Sequence, residues 1–160
     1  MEKDELNIFD SYFVVRNGIF HTKQSQLNSE RVRFIRENYS RKQYLKEIAS
    51  VTMHFGRQTG ASFWIIQKSL ELSADGKKIS IITHNNSITN YMKREMSKYD
   101  TSCEEKENNI NYFVSESNNG IEKAVSNYAD YIFVDITPLT SKSKLDLLYT
   151  HPDVEMIVFC

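Results

Sequence analysis

The chain has no apolar run near the roughly 20 residues that a membrane-spanning helix needs, which argues against a membrane partner or a helical membrane protein. Cysteine is scarce: Cys103 and Cys160 are the only two in 160 residues. They form no metal-ligand spacing, and a reduced, cytoplasmic setting is the expectation. Charge of one sign is lacking too. Lys and Arg number 20 against 21 Asp and Glu, a formal net charge of −1, which weighs against a strongly basic nucleic-acid binder and leaves only a local basic face open. The first residues, M-E-K-D-E-L-N, are acidic and polar and so do not read as a signal peptide. The K-D-E-L they contain is an address only at a C-terminus. No internal repeat is visible.

What remains is the composition of a soluble globular protein, 40% hydrophobic and 26% charged, of a length that suits one domain with a real core. The expected division is a single unit over 1–160, with a hairpin and linker over 1–28 and the core over 29–160. Tyr12 to Val15 and Ile19 to His21 flank Arg16-Asn17-Gly18, and Asn-Gly between apolar runs predicts a β-hairpin. Residues 22–29 read as a polar linker, followed by helical patterns over 29–35 and 41–49.

The most informative stretch is 50–62, S-V-T-M-H-F-G-R-Q-T-G-A-S. Val51 to Phe55 alternate apolar and polar, the period of a short strand. Residues 56–60 supply a Gly-bearing turn, and Ser62 opens an apolar-periodic run with a hydroxyl suited to capping a helix. Strand, turn and helix in this order form a phosphate-binding loop, because backbone N–H groups and the helix dipole favour an anion at the helix start. Set against G-x-x-x-x-G-K-[ST], the chain has Phe55 at the first glycine and Ala61 at the lysine. The plainer alternative is a tight strand-to-helix turn with no ligand.

Downstream, helices and strands alternate: helix 62–74 ending near Gly76, strand 79–84, a helix capped from 85–87 and running to about Tyr99, strand 110–114, helix 121–129, strand 131–137, helix 141–149 and strand 155–159. Such alternation predicts an α/β fold with a three-layer, mainly parallel sheet. Ligands then lie at the carboxyl ends of the strands, where both the turn after Phe55 and Asp135 would fall. An acid closing the apolar strand Y-I-F-V-D suits Mg2+, though it also suits a loop cap.

In order and spacing of elements, residues 40–160 resemble the P-loop ATPase domain of terminase large subunits, the DNA-packaging motors of tailed phages. Arg57-Gln58-Thr59-Gly60 is similar to that family's R-Q-x-G-K-[ST] loop, Gln43-Tyr44-Leu45 to its Q-x-x-L element, and residues 131–135 to its Walker B strand. The resemblance implies ATP and Mg2+ as ligands. Gln43 would read the adenine edge, and Gly56, Arg57, Gln58, Thr59, Gly60, Ala61 and Ser62 would cradle the phosphates. Ser62 and Asp135 would hold the metal, with Arg57 sensing the γ-phosphate. It also implies a glutamate after the Walker B aspartate as the base that activates water, where this chain has Ile136.

Two catalytic groups are thus replaced. One positioned charge is worth about 3–4 kcal/mol in a transition state, and a general base about 10²–10⁴-fold. Their joint loss lowers hydrolysis by roughly four to seven orders of magnitude if the effects add, which they often do not. The expected function is therefore that of a degenerate relative that binds nucleotide, as ATP with Mg2+, weakly or not at all, with weak or no ATP hydrolysis. It would act on a protein partner as a packaging or accessory factor, in the host cytoplasm if phage-encoded. An active Mg-dependent ATPase using Arg57 or a partner's residue is the alternative. DNA binding through 83–98, where Lys93, Arg94 and Lys98 gather, is a third; a solvated helix face is the blander account of that cluster. The terminase nuclease region has no counterpart in these 160 residues, so cutting DNA by that route is not expected.

Overall fold

The computed structural model describes residues 8–55, 59–99, 109–117, 119–135 and 142–160, with the side chains of 8, 9 and 142 left aside. Three helices come first, α1 Ile8–Leu27, α2 Glu30–Asn38 and α3 Arg41–Glu47. Strand and helix then alternate through β1 Ser50–Thr52, α4 Ala61–Ala74, β2 Ile79–Thr83, α5 Asn86–Tyr99, β3 Ile110–Val114, α6 Gly120–Ser126 and β4 Tyr131–Val134. The chain closes with α7 Lys142–Asp146, a 3-10 turn Leu147–Thr150 and β5 Met156–Phe159. The five strands form one all-parallel sheet in the order β1-β5-β4-β2-β3. The expected three-layer α/β architecture is what forms.

The sheet is parallel because helical crossovers return the chain to the same end, and both of its faces are covered. That is why β2, β4 and β5 are buried at every position, β4 and β5 as unbroken apolar runs and β2 with only Ser80 and Thr83 as polar members. On one face Phe20 of α1 meets Trp64 of α4 at 5.8 Å between ring centroids, and Tyr131 and Phe133 of β4 at 5.8 and 6.1 Å. Tyr131 and Phe133 are two apart and so share a face. On the same side α4 packs against α5, while α3 and α6 both pack against the 3-10 turn.

Residues 12–21 do not form a hairpin; they lie within α1, a helix of 20 residues. Asn-Gly makes a hairpin only when both flanks find strand partners, and here the flanks obey a longer period. Phe13, Phe20 and Leu27, seven apart, turn toward the core, with Arg16 on the same side. A Cβ built on Gly18 would meet nothing within 4 Å, so the glycine serves no turn here. The expected linker over 22–29 is mostly the last turns of the same helix.

The helix end at Gly76 follows expectation. Gly76 has φ 80°, its N–H donates to Ser73 O at 3.0 Å, and the Lys77 N–H reaches Leu72 O at 3.1 Å, the paired bonds of a Schellman motif. At the carboxyl edge the ladder runs one residue past each strand. Met53 N–H donates to Phe159 O, Asp135 N–H to Ile82 O and Cys160 N–H to Val134 O, at 2.7, 2.8 and 2.9 Å. These bonds fix the heights at which the chain leaves the sheet, and so place the site.

Candidate functional site

Gly60 is the N-cap of α4, with φ 75° and ψ 23°, a left-handed conformation that costs glycine little. It carries no side-chain cap. Helix geometry leaves the N–H groups of Ala61, Ser62 and Phe63 without intrahelical acceptors, while Trp64 N–H closes the first turn on Gly60 O at 2.9 Å. Ser62 does not cap the helix as its hydroxyl suggests. Its Oγ instead donates to Asp135 Oδ2 at 2.8 Å, across 73 residues of chain. The cap needs no hydroxyl because the turn arrives through glycine, and Ser62 sits two residues past the cap position.

That bond joins the two halves of the expected site. Asp135 leaves β4, which is separated from β1 only by β5, and its carboxylate meets the start of α4. Burial raises the Asp135 carboxyl above its ordinary value, while the Ser62 hydroxyl and the Arg16 charge act in the opposite sense. The net direction is upward, so the folded chain holds this proton more tightly than the unfolded chain does. The stabilisation that follows is complete below the unfolded carboxyl value, about 3.9, and is lost as pH rises through the higher folded value. At neutral pH the ionised carboxylate is a standing cost to the fold. Asp135→Asn, which mimics the neutral acid, is therefore expected to unfold at a higher temperature than the natural chain at pH 7–8. The gap should shrink toward pH 4, as melting curves across pH would show.

The sequence reading missed Arg16. This residue of α1 is 1% exposed. Its Nη1 donates to Thr59 O at 2.5 Å and its Nη2 to Thr59 Oγ1 at 2.7 Å. The guanidinium carbon lies 5.0 Å from the Phe55 ring centroid and 6.0 Å from that of Tyr12, and those two rings stack at 5.6 Å. Burial lowers its pKa, opposed by Cys160, Asp135 and Tyr12, but an arginine stays protonated in such settings. The same burial pushes the Cys160 thiol up to about 12, so it is no nucleophile at neutral pH. The only sequence signal for Arg16 was a basic residue on the apolar stripe of a 3.6-residue period.

Of the expected nucleotide-binding residues, Thr59, Gly60, Ala61 and Ser62 stand together at the start of α4, with Asp135 bonded to Ser62. Gly56, Arg57 and Gln58 lie outside the described residues, as does Ile136. Gln43 is exposed on α3, where its N–H is capped by Ser40 Oγ at 3.2 Å, and no described contact joins its amide to the turn. Lys68 is turned away. It is buried against Phe20, with its Nζ 2.8 Å from Glu71 and 3.2 Å from His21.

Asn85 caps α5 through Ile88 N–H at 3.1 Å, and Thr83 Oγ1 pairs with Thr89 Oγ1 at 2.6 Å. Lys98 is bonded to Glu95 at 2.7 Å.

A serine hydroxyl and one carboxylate are hard oxygen donors. They suit Mg2+, which takes one or two protein oxygens and fills its octahedron with phosphate oxygens and water. Among the described residues no three His, Cys, Asp or Glu side chains gather as a metal cage, and Mg2+ held in this way needs none. No described helix is long and apolar enough to cross a membrane. No protein-family model and no curated protein sequence matches the chain.

Proposed function

We propose that this domain is a degenerate, terminase-like P-loop protein that takes a magnesium nucleotide at the Gly60 turn and turns it over slowly or not at all. In this reading it acts by docking on a protein partner, as a packaging or accessory factor of a phage would. The reading rests above all on the 2.8 Å bond from Ser62 Oγ to Asp135 Oδ2. A buried carboxylate held beside a helix start rich in N–H donors is costly for the fold and useful for a metal-bound anion. Ala61 and Ile136 stand where the family's lysine and base would be, which weakens catalysis more than binding. The docking arm is supported by Val14, Val15 and Phe34, which are 68%, 47% and 67% exposed on α1 and α2.

Bound ATP would bring its phosphate oxygens to Mg2+. The chain's own part is to aim the N–H groups of the first turn of α4 at those oxygens, and to orient the Asp135 carboxylate through the Ser62 hydroxyl. The test is thermal unfolding with Mg2+ alone and with Mg2+ plus ATP, ADP, GTP or AMP. Ligand at ten to a hundred times its dissociation constant adds about 1.4–2.7 kcal/mol to stability, so a clear rise with ATP is expected. Asp135→Asn should lose most of the rise even though it melts higher on its own. ATP turnover should stay below about 1 s⁻¹, the low end of ordinary enzyme rates. No rise with any nucleotide, or brisk turnover, contradicts the reading. Activity that disappears in Arg57→Ala would favour the alternative of an active Mg-dependent ATPase.

A further inference from the structure

A polyphosphate carries several negative charges, and the turn before α4 has no lysine to meet them, because position 61 is alanine. Arg16 brings a cation to that turn from 43 residues upstream. Three observations separate it from an ordinary structural arginine. Both of its Nη atoms fasten onto Thr59, the residue just before the N-cap of α4. Its Nε is buried and has no acceptor among the described residues. Finally, no ion pair joins it to Asp135 among the described residues, although each feels the other's charge; the carboxylate accepts from Ser62 instead.

A buried N–H donor left unpaired costs about 1–3 kcal/mol, and an unpaired group of this kind calls for an explanation. If Arg16 served only to neutralise Asp135, the two would be expected to close into a forked pair. Instead the guanidinium is fastened to Thr59 and the carboxylate to Ser62, three residues along the same turn. A cation and a carboxylate held at one turn by different partners suit a ligand with two unlike ends, a phosphate for the guanidinium and a metal ion for the carboxylate.

We propose that Arg16 is the phosphate-binding cation of this site, delivered by α1 in place of the loop lysine, and that its ligand is the polyphosphate of a magnesium nucleotide. This rests on the nucleotide-binding reading above and assigns that site its anion partner. The fork holds Thr59. On binding, Nε–H and one Nη–H turn to phosphate oxygens.

The experiment titrates Mg-ATP, Mg-AMP and Mg-tripolyphosphate into the full chain and into Arg16→Met and Arg16→Lys by calorimetry, and follows the arginine Nε–H resonance by NMR. The Arg16 signal is assigned by its loss in Arg16→Lys. Arg16→Met should weaken ATP and tripolyphosphate by about tenfold to a hundredfold, the worth of a charge-assisted bond, and Arg16→Lys by less. In the natural chain the Nε–H resonance should move on adding Mg-ATP and stay still with Mg-AMP. Should Arg16→Met fail to fold, the resonance shift and Arg16→Lys decide alone.

Binding within twofold of the natural chain with a stationary resonance overturns the assignment and leaves the nucleotide reading standing. Tighter binding in Arg16→Met also overturns it, since the guanidinium would then be a plug. A loss confined to ATP, with tripolyphosphate unaffected, overturns it as well by placing Arg16 on the nucleoside. If the natural chain binds none of the three, the nucleotide reading and this assignment fall together.

Discussion

Replacing Ala61 with lysine and Ile136 with glutamate in one chain is expected to raise ATP turnover by at least two to four orders of magnitude over the natural protein. In the nucleotide-binding reading proposed above, the chain supplies three of the five groups that phosphoryl transfer to water would need. These are the first-turn N–H groups of α4, the Ser62 hydroxyl, and the Asp135 carboxylate bonded to it at 2.8 Å. It lacks a mobile cation at 61 and a base at 136. A positioned cation contributes about 3–4 kcal/mol to the transition state, and a base about 10²–10⁴-fold. Groups that act as a unit are non-additive, so each single replacement should gain far less than the pair.

Ala61 is half-buried rather than fully enclosed, which leaves a longer side chain a path toward the turn. Phosphate release under single-turnover conditions measures the gain, and adding Asp135→Asn to the pair should erase it. Ala61→Lys should also return ATP affinity to a chain carrying Arg16→Met, because either cation would then face the same phosphates. Turnover that stays at the natural level while ATP binding is intact would mean that positions 61 and 136 do not correspond to the family's lysine and base.

The part of this molecule that sequence revealed is the part governed by short-range pattern. The largely apolar stretch at 79–83 and the apolar run at 131–134, buried at every position, are parallel strands with both sheet faces covered. Gly76 ends α4 because only a residue at ease with φ 80° closes that motif without strain. Asp135 and Ser62 could be placed at one edge of the sheet from strand order alone, since every βα turn of a parallel sheet opens on the same side.

Their hydrogen bond could not be foreseen, because it depends on Ser62 being turned toward β4 rather than back over the helix end. Arg16 was hidden for a different reason. The dipeptide Asn17-Gly18 is a strong local signal for a hairpin, and it outweighed the weaker, longer period of Phe13, Phe20 and Leu27. Propensity gave way to packing: α1 is helical because its apolar stripe covers the sheet beside Trp64. A cation supplied by that stripe to a turn 43 residues away leaves no trace at the turn itself.

The same packing makes Trp64→Ala the most damaging single change expected in the fold, with a loss of about 3–5 kcal/mol from a domain whose whole stability is on the order of 5–15 kcal/mol. The indole is fully buried. It meets Phe20 at 5.8 Å and Phe133 at 5.7 Å, both edge-on, an arrangement worth more than area alone. Its Nε1–H also donates to Asn17 Oδ1 at 2.9 Å. Trp64→Phe should cost less, roughly 1–2 kcal/mol, because it keeps the ring contacts and gives up mainly the indole bond. Urea unfolding of the three proteins gives the ordering.

The consequence reaches the site, because Asn17 is the chain neighbour of Arg16. A looser α1 releases the guanidinium from Thr59, so Trp64→Phe, which still folds, should also bind Mg-ATP more weakly than the natural chain. Adding Arg16→Met to Trp64→Phe should then weaken binding little further. Full additivity of the two losses would mean that Trp64 supports the sheet without positioning the cation, since residues that act through one another couple and independent ones add.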